Sequence, residues 1–215
     1  IANSESFRQK EEAMKVFAIN GSPDGARGNT DQILKSFLSG MREQGAEVDL
    51  FYTQKLKIAP CRGGGSCMDC WFKHPGVCRQ KDDMNQLYPI LREADVWVFA
   101  TPVFVDGMSG QLKNFFDRIV PVVEPFFEVR DNHFRHIMPS GAKKGKIVLV
   151  SSCGFPEIDN FDPLVAHIKA ISKNADREFA GALLRPAALA FGFPAFLTSG
   201  FGLKKKAIFR AAKQA

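Results

Sequence analysis

The stretch Lys15-Val16-Phe17-Ala18-Ile19-Asn20-Gly21-Ser22-Pro23-Asp24-Gly25-Ala26-Arg27-Gly28-Asn29-Thr30 decides the fold. Lys15 to Asn20 reads as a first strand, and Thr30 to Gln44 follows as a helix with Ile33, Leu34, Phe37, Leu38 and Met41 on one face. Between them runs a loop rich in Gly, Ser, Pro, Asp and Asn that leads straight into the helix. Free backbone N–H groups and the positive end of the helix dipole meet there, which suits a phosphate, and Ser22, Asn29 and Thr30 add side-chain donors. The segment is neither G-x-G-x-x-G nor G-x-x-x-x-G-K-[ST], so a dinucleotide fingerprint and an ATP-type loop both fail on their residues. A tight strand-to-helix turn capped by Asn29 or Thr30 stands beside the phosphate reading.

Outward from this unit the same alternation repeats. Glu47 to Tyr52 is a second strand, followed by a long Gly- and Cys-rich loop and a helix over Asp82 to Arg92 that presents Met84, Leu87, Ile90 and Leu91. Asp95 to Thr101 is a buried third strand, and the helix after Ser109 turns Leu112, Phe115, Phe116 and Ile119 inward. Ile147 to Ser152 makes the fourth strand. Asp162 then caps a helix with Pro163 at its first position, burying Leu164, Val165, Ile168 and Ile171. Phe179 to Leu184 completes a fifth strand. Strands alternating with helices predict an α/β fold with a parallel sheet covered on both faces, and the crossover rule favours the strand order 2-1-3-4-5.

With 215 residues, 45% of them hydrophobic and 24% charged, the chain builds one domain, expected over residues 14–215. Residues 1–13 are polar and of mixed charge and read as an N-terminal extension without the apolar middle of a secretory signal. The longest apolar runs, Val96 to Ala100 and Ile147 to Val150, are of strand length, so no membrane span is expected and a cytoplasmic setting is. The net charge of +6 is dispersed apart from Lys143, Lys144, Lys146 and the triplet Lys204 to Lys206. That pattern predicts a solvated face rather than a nucleic-acid site, in a field that favours small anionic ligands.

In a sheet of this order the ligand binds beyond the carboxyl ends of the strands where the order reverses. Three loops meet there, after Asn20, Ala100 and Ser151. The second, Thr101-Pro102-Val103-Phe104-Val105-Asp106-Gly107-Met108-Ser109, offers a rigid proline, an aromatic and a glycine at a sheet end, which suits a flat ring lying against backbone. Its other reading is a turn with a core phenylalanine. The third, Ser151-Ser152-Cys153-Gly154-Phe155, offers small residues and backbone donors for a ring edge.

Taken in order, "GSPDGARGNT", "CMDCWFKHPGVCRQKDDM", "TPVFVDGMSGQLKNFFDR", "SSCGFPE" and "LLRP" resemble the NAD(P)H-dependent FMN reductase family, and within it the iron-sulfur flavoproteins. The resemblance implies a flavodoxin-like three-layer sandwich that binds FMN. By it, Ser22, Arg27, Gly28, Asn29 and Thr30 surround the FMN phosphate. Thr101, Pro102, Val103 and Phe104 contact the flavin, and Ser152, Cys153, Gly154 and Phe155 line its far side. The family usually has tyrosine where this chain has Phe104, so the stacking role survives and a hydroxyl contact is lost.

Four of the five cysteines, Cys61, Cys67, Cys70 and Cys78, fall in one short segment, a density that fits thiols kept reduced and used as metal ligands. The iron-sulfur flavoproteins space theirs C-x2-C-x2-C before the last one. Here Gly64 stands in the place of the first, and Cys61 lies three residues earlier, with Gly63, Gly64 and Gly65 supplying bend. A 4Fe-4S cluster, a cluster-free loop and structural zinc all remain open at this point. In the same segment His74 reads as a solvated loop residue and Trp71 and Phe72 as packing or subunit contacts. His133 and His136 read as part of a lid or interface rather than a metal pair, and Asp117 and Arg118 as surface or interhelix polar contacts.

The function implied is an oxidoreductase passing electrons from NAD(P)H or a ferredoxin-type donor to a quinone, flavin or other small acceptor, as a homodimer or homotetramer. A non-enzymatic flavodoxin-like carrier and a zinc-stabilised interaction module are the alternatives. A hydrolase is disfavoured, because no G-x-S-x-G elbow is present.

Overall fold

The structure, a computed structural model, describes residues 12–188 and 201–215. Most of the expected N-terminal extension, residues 1–11, lies outside the described residues, as do residues 189–200.

Strands β1 (Lys15–Asn20), β2 (Glu47–Tyr52), β3 (Val96–Pro102), β6 (Lys146–Ser152) and β7 (Glu178–Arg185) form one sheet in the order β2-β1-β3-β6-β7. Every neighbouring pair is parallel. Counted within the sheet this is the expected 2-1-3-4-5, so the order reverses between β1 and β3. Among the described residues the sheet is accompanied by helices α1 (Asn29–Glu43), α2 (Gly64–Lys73), α3 (Met84–Glu93), α4 (Gly110–Arg118), α5 (Asp162–Asn174) and α6 (Phe201–Gln214) and by a small antiparallel hairpin, β4 (Phe127–Arg130) and β5 (His133–His136).

The period of two along each strand divides the interior into two layers. Phe17 and Ile19 of β1 join Trp97, Phe99, Ile147 and Leu149 beneath α3, α4 and α5, where Leu87, Leu91, Phe115 and Leu164 are fully buried. Val16 and Ala18 point the other way, with Val98 and Val150, against Ile33, Leu34 and Leu38 of α1 and Ala212 of α6. Burial on both faces is why these strands read as continuous apolar runs rather than as alternation.

Two local expectations are corrected. Asp162 does not cap α5, because a 3-10 turn over Ile158–Phe161 runs directly into the helix and leaves Phe161 and Asp162 both helical. Pro163 still sits in the first turn. The cysteine segment is not simply a loop: after Gly63 and Gly64, both at positive φ, it winds into α2. Among the described residues no helix is long and apolar enough to cross a membrane.

Candidate functional site

The carboxyl ends of β1, β3 and β6 bring the three expected loops together. Gly21 N–H donates to the Ala100 carbonyl (2.7 Å) and Val103 N–H to the Ser152 carbonyl (2.8 Å), so the loops are laced by backbone bonds before any ligand arrives. Side chains tighten the same place. Ser109, the N-cap of α4, accepts from Leu112 N–H (3.2 Å) and donates to the Gly21 carbonyl. Ser151 donates to the Thr101 carbonyl (2.7 Å), and Thr101 Oγ1 accepts from Ser109 N–H (3.0 Å). Thr101, Ser109, Ser151 and Ser152 are all buried.

The first loop enters α1 without a side-chain cap. Its N-cap is Gly28, in extended conformation, and a Cβ there would lie 2.9 Å from Ser22 Oγ. Asn29 and Thr30, one reading of which made them caps, turn elsewhere: Asn29 Nδ2 donates to the Ala188 carbonyl (2.9 Å), and the Thr30 and Ser152 hydroxyls lie 2.6 Å apart. Among the described residues the opening turn of α1 therefore has no side-chain cap for its amide donors, the arrangement an anion site uses. Asp31, buried in that turn, is answered by Asn20 Nδ2 (3.1 Å) and Lys35 Nζ (2.7 Å). Asn20 in turn accepts from Ser22 N–H (2.8 Å), so Asp31 holds the loop's shape. Burial, followed by the neighbouring Asp31, pushes the Tyr52 hydroxyl up to about 12. Arg27 is solvent-exposed at the loop's edge.

In the second loop Phe104 and Gly107 exchange backbone hydrogen bonds (2.9 and 3.1 Å) around Val105 and Asp106, both at positive φ. This is a type I′ hairpin tip. It lifts Phe104 out of the core to 49% exposure, so the core-phenylalanine reading does not hold. Pro102 and Val103 are half-buried beside it. In the third loop Cys153 is buried, its N–H donating to the Arg185 carbonyl (2.9 Å), while Gly154 and Phe155 are exposed. Small buried hydroxyls and the exposed rings of Phe104 and Phe155 are thus carried by loops at the same end of the sheet.

A second site lies against α4. Cys61, Cys67, Cys70 and Cys78 all line one cavity of about 570 Å³, with Gly63, Gly64 and Arg118. All four thiols are free. Burial first, and the other three cysteines next, push the Cys67 thiol up. Among the described residues no three Cys, His, Asp or Glu side chains close around a single ion. Four thiols lining one cavity are a donor set whose chemistry suits an iron-sulfur centre or zinc, and they do not close around one point. Trp71 packs the segment down, donating to the Val123 carbonyl (3.2 Å) and lying 4.8 Å from the ring of His136. Phe72 meets Phe126 edge-on. His74 is exposed at the end of α2, and His136 sits between Trp71 and Phe127 rather than paired with His133 at a metal.

Of the two readings of Arg118, a surface or an interhelix polar contact, the structure shows the second: it is 2% exposed, reaches Asp82, Ala59 and Cys78, and its carbonyl accepts from Tyr88 of α3. Which partners it takes is not written in its sequence neighbourhood, because they lie on other segments.

The description "NADPH-dependent FMN reductase" fits residues 14–155. An iron-sulfur flavoprotein of Methanosarcina thermophila is 31% identical over 132 residues, 61% of this chain and 66% of that protein. One from Archaeoglobus fulgidus is 30% identical over 132 residues, 61% of this chain and 62% of the other. The matches thus span just under two-thirds of these relatives. Among solved structures, an NAD(P)H:quinone oxidoreductase from Methanothermobacter marburgensis superposes with a TM-score of 0.61 at 14% identity, covering 95% of this chain and 96% of that one. A flavone reductase gives 0.60 at 20% identity, covering 94% and 62%. The fold is therefore shared with these two proteins. By the family that its residues 14–155 match, the chain belongs to the NADPH-dependent FMN reductases.

Proposed function

We propose that this protein binds FMN across the three loops and acts as an NAD(P)H-dependent oxidoreductase toward a quinone, free flavin or similar small acceptor. The observation that carries the reading is the convergence of an uncapped α1 N-terminus, a floor of buried hydroxyls and an upturned Phe104 at the one point where strand order reverses. Ser22, Gly28, Asn29 and Thr30 hold the phosphate, with Arg27 at its edge. Thr101, Pro102, Val103 and Phe104 lie against the ring. Ser152, Cys153, Gly154 and Phe155 line its far side. FMN, when bound, supplies the hydride and single-electron chemistry. The protein's share is to orient the ring, keep water from its buried edge and offer backbone N–H groups to it. No protein nucleophile is needed.

Cys61, Cys67, Cys70 and Cys78 would hold a 4Fe-4S cluster, and the chemistry it supplies is one-electron exchange. The iron-sulfur flavoproteins of M. thermophila and A. fulgidus support this by name. Helix α4 runs from the Ser109 cap at the flavin cleft to Arg118 at the cysteine cavity, roughly 13 Å by the rise of an α-helix. The exposed cations Arg62, Arg79 and Lys81 on the cavity's lining suit an acidic, ferredoxin-type protein as a donor. Five free cysteines suit a reducing compartment, the cytoplasm, and the exposed Phe126, Phe127 and Phe134 of the hairpin region suit a homodimer or homotetramer.

Steady-state oxidation of NADH and NADPH with a quinone or free flavin tests the reading. Turnover that depends on both substrates is the expected result. FMN binding without turnover would instead favour a carrier exchanging electrons with proteins only.

A further inference from the structure

The guanidinium of Arg118 lies buried in the wall of the cysteine cavity, and its bonds reach both ends of the cysteine segment. Nη1 donates to the Ala59 carbonyl (2.7 Å), two residues before Cys61, and to Asp82 Oδ2 (2.6 Å). Nη2 donates to Asp82 Oδ1 (3.1 Å) and lies 3.5 Å from Cys78 Sγ. The pairing with Asp82 is two-pronged, a geometry that fixes the plane of the guanidinium as well as its position. Asp82 passes the constraint on: Oδ2 accepts from Ala59 N–H (3.0 Å) and Oδ1 from Met84 N–H (3.1 Å). On the main chain of the same residue, the Arg118 carbonyl accepts from the Tyr88 hydroxyl (2.6 Å), tying α4 to α3.

Chain entry, chain exit and one candidate ligand therefore converge on a single side chain. The side chains of Arg118 and Asp82 are 1% and 9% exposed. An ion pair this deep costs desolvation that a surface pair does not, and a purely structural tie between two helices could be made with apolar side chains at no such cost. The charge must be answered from somewhere. Asp82 answers it with one negative charge, and the Cys78 sulfur lies 3.5 Å from Nη2.

We propose that Arg118 is the positioning residue of the cysteine cavity: it holds Ala59 and Cys78 at the spacing the four thiols need, and it sets a fixed positive charge against the electron-accepting centre they ligate. This rests on the reading that the cysteines hold an iron-sulfur cluster. Reduction of such a centre adds one negative charge next to the guanidinium, so Arg118 favours the reduced form and raises the reduction potential.

The test compares wild type with Arg118→Gln and Arg118→Lys. Hydrogen exchange is measured first, on metal-free protein with FMN bound. The expected result for Arg118→Gln is exchange at least about tenfold faster across residues 57–84 with the rest of the sheet unchanged, since hydrogen bonds to a charged group are lost. After reconstitution with iron and sulfide, the midpoint potential of the centre is expected to fall in Arg118→Gln and to return toward wild type in Arg118→Lys, which keeps the charge. Should Arg118→Gln fail to fold, Asp82→Asn is measured in its place and is expected to show the same faster exchange. Unchanged exchange overturns the proposal. So does faster exchange with an unchanged potential, which reduces Arg118 to a scaffold. Wild-type protein that takes up no iron or sulfide overturns the cluster reading instead, and the exchange result, obtained beforehand, keeps the two failures apart.

Discussion

The hydroxyls of Thr30 and Ser152 meet at 2.6 Å, joining the first turn of α1 to the end of β6 across 122 positions of sequence. Both are buried, so neither has water to replace the other. In the proposed FMN site this bond closes the phosphate side onto the ring side. Thr30→Ala and Ser152→Ala are each expected to lower stability by about 1–3 kcal/mol, because each leaves a buried hydroxyl alone. The double variant should cost clearly less than the sum of the singles. Urea unfolding of the three proteins checks this, and FMN affinity should weaken in the same order.

Gly21 passes beneath α4 so closely that a Cβ would lie 2.5 Å from Leu112 Cβ. Gly21→Ala should therefore force α4 away from β1 and destabilise the protein by about 1–3 kcal/mol, by overpacking. Because the Gly21 carbonyl accepts from Ser109, FMN binding should fall along with the melting temperature.

Val105 sits at φ 47° with its side chain 99% exposed, so it bears a left-handed backbone without packing in return. A β-branched residue is poorly suited to that conformation, which Asn tolerates. Val105→Asn is expected to raise stability by about 1 kcal/mol in thermal or urea unfolding. No gain would contradict the type I′ tip.

Phe104 is the only aromatic in the second loop, which makes it the stacking partner of the ring in the proposed site. Phe104→Ala should weaken FMN affinity about tenfold, measured by quenching of flavin fluorescence, through loss of an aromatic contact. Phe104→Tyr should keep or improve it.

At the opposite end of the sheet Asp95 joins β3 to its neighbours, accepting from Lys15 N–H (2.8 Å) and pairing with Lys143 Nζ (2.9 Å). Burial pushes its carboxyl up, but the Lys143 and Lys15 bonds outweigh burial and hold it below the ordinary carboxylate value. A lowered pKa means the stabilisation is complete above the unfolded value and disappears as pH falls through the folded one. Asp95→Asn should therefore lower stability at neutral and alkaline pH, where the ionised carboxylate contributes, and flatten the acid limb of a plot of stability against pH, where wild type loses that contribution.

The central sheet was legible because strands buried on both faces carry uninterrupted apolar residues, and each expected strand falls within a residue or two of the observed one. The three site loops followed from topology alone, since any such sheet opens at its order reversal. Helix α2 was masked by the glycines Gly63 to Gly65 at its start, which read as loop, although Cys67, Cys70 and Trp71 stand at the i, i+3, i+4 spacing of a helix face and the last two are buried. The hairpin did leave a signal. Asp131-Asn132, both at positive φ, stand between two four-residue strands as a two-residue turn demands. Arg118 left none, since a buried arginine and a surface one look alike until the partner on a distant segment is seen.

Titration of flavin-free protein with FMN, followed by flavin fluorescence and by release of the bound flavin for quantification, tests the three-loop site most directly. Saturation at one FMN per chain, weakened by Thr30→Ala and by Phe104→Ala, is the predicted result. Protein that leaves FMN fluorescence untouched and releases no flavin would contradict it.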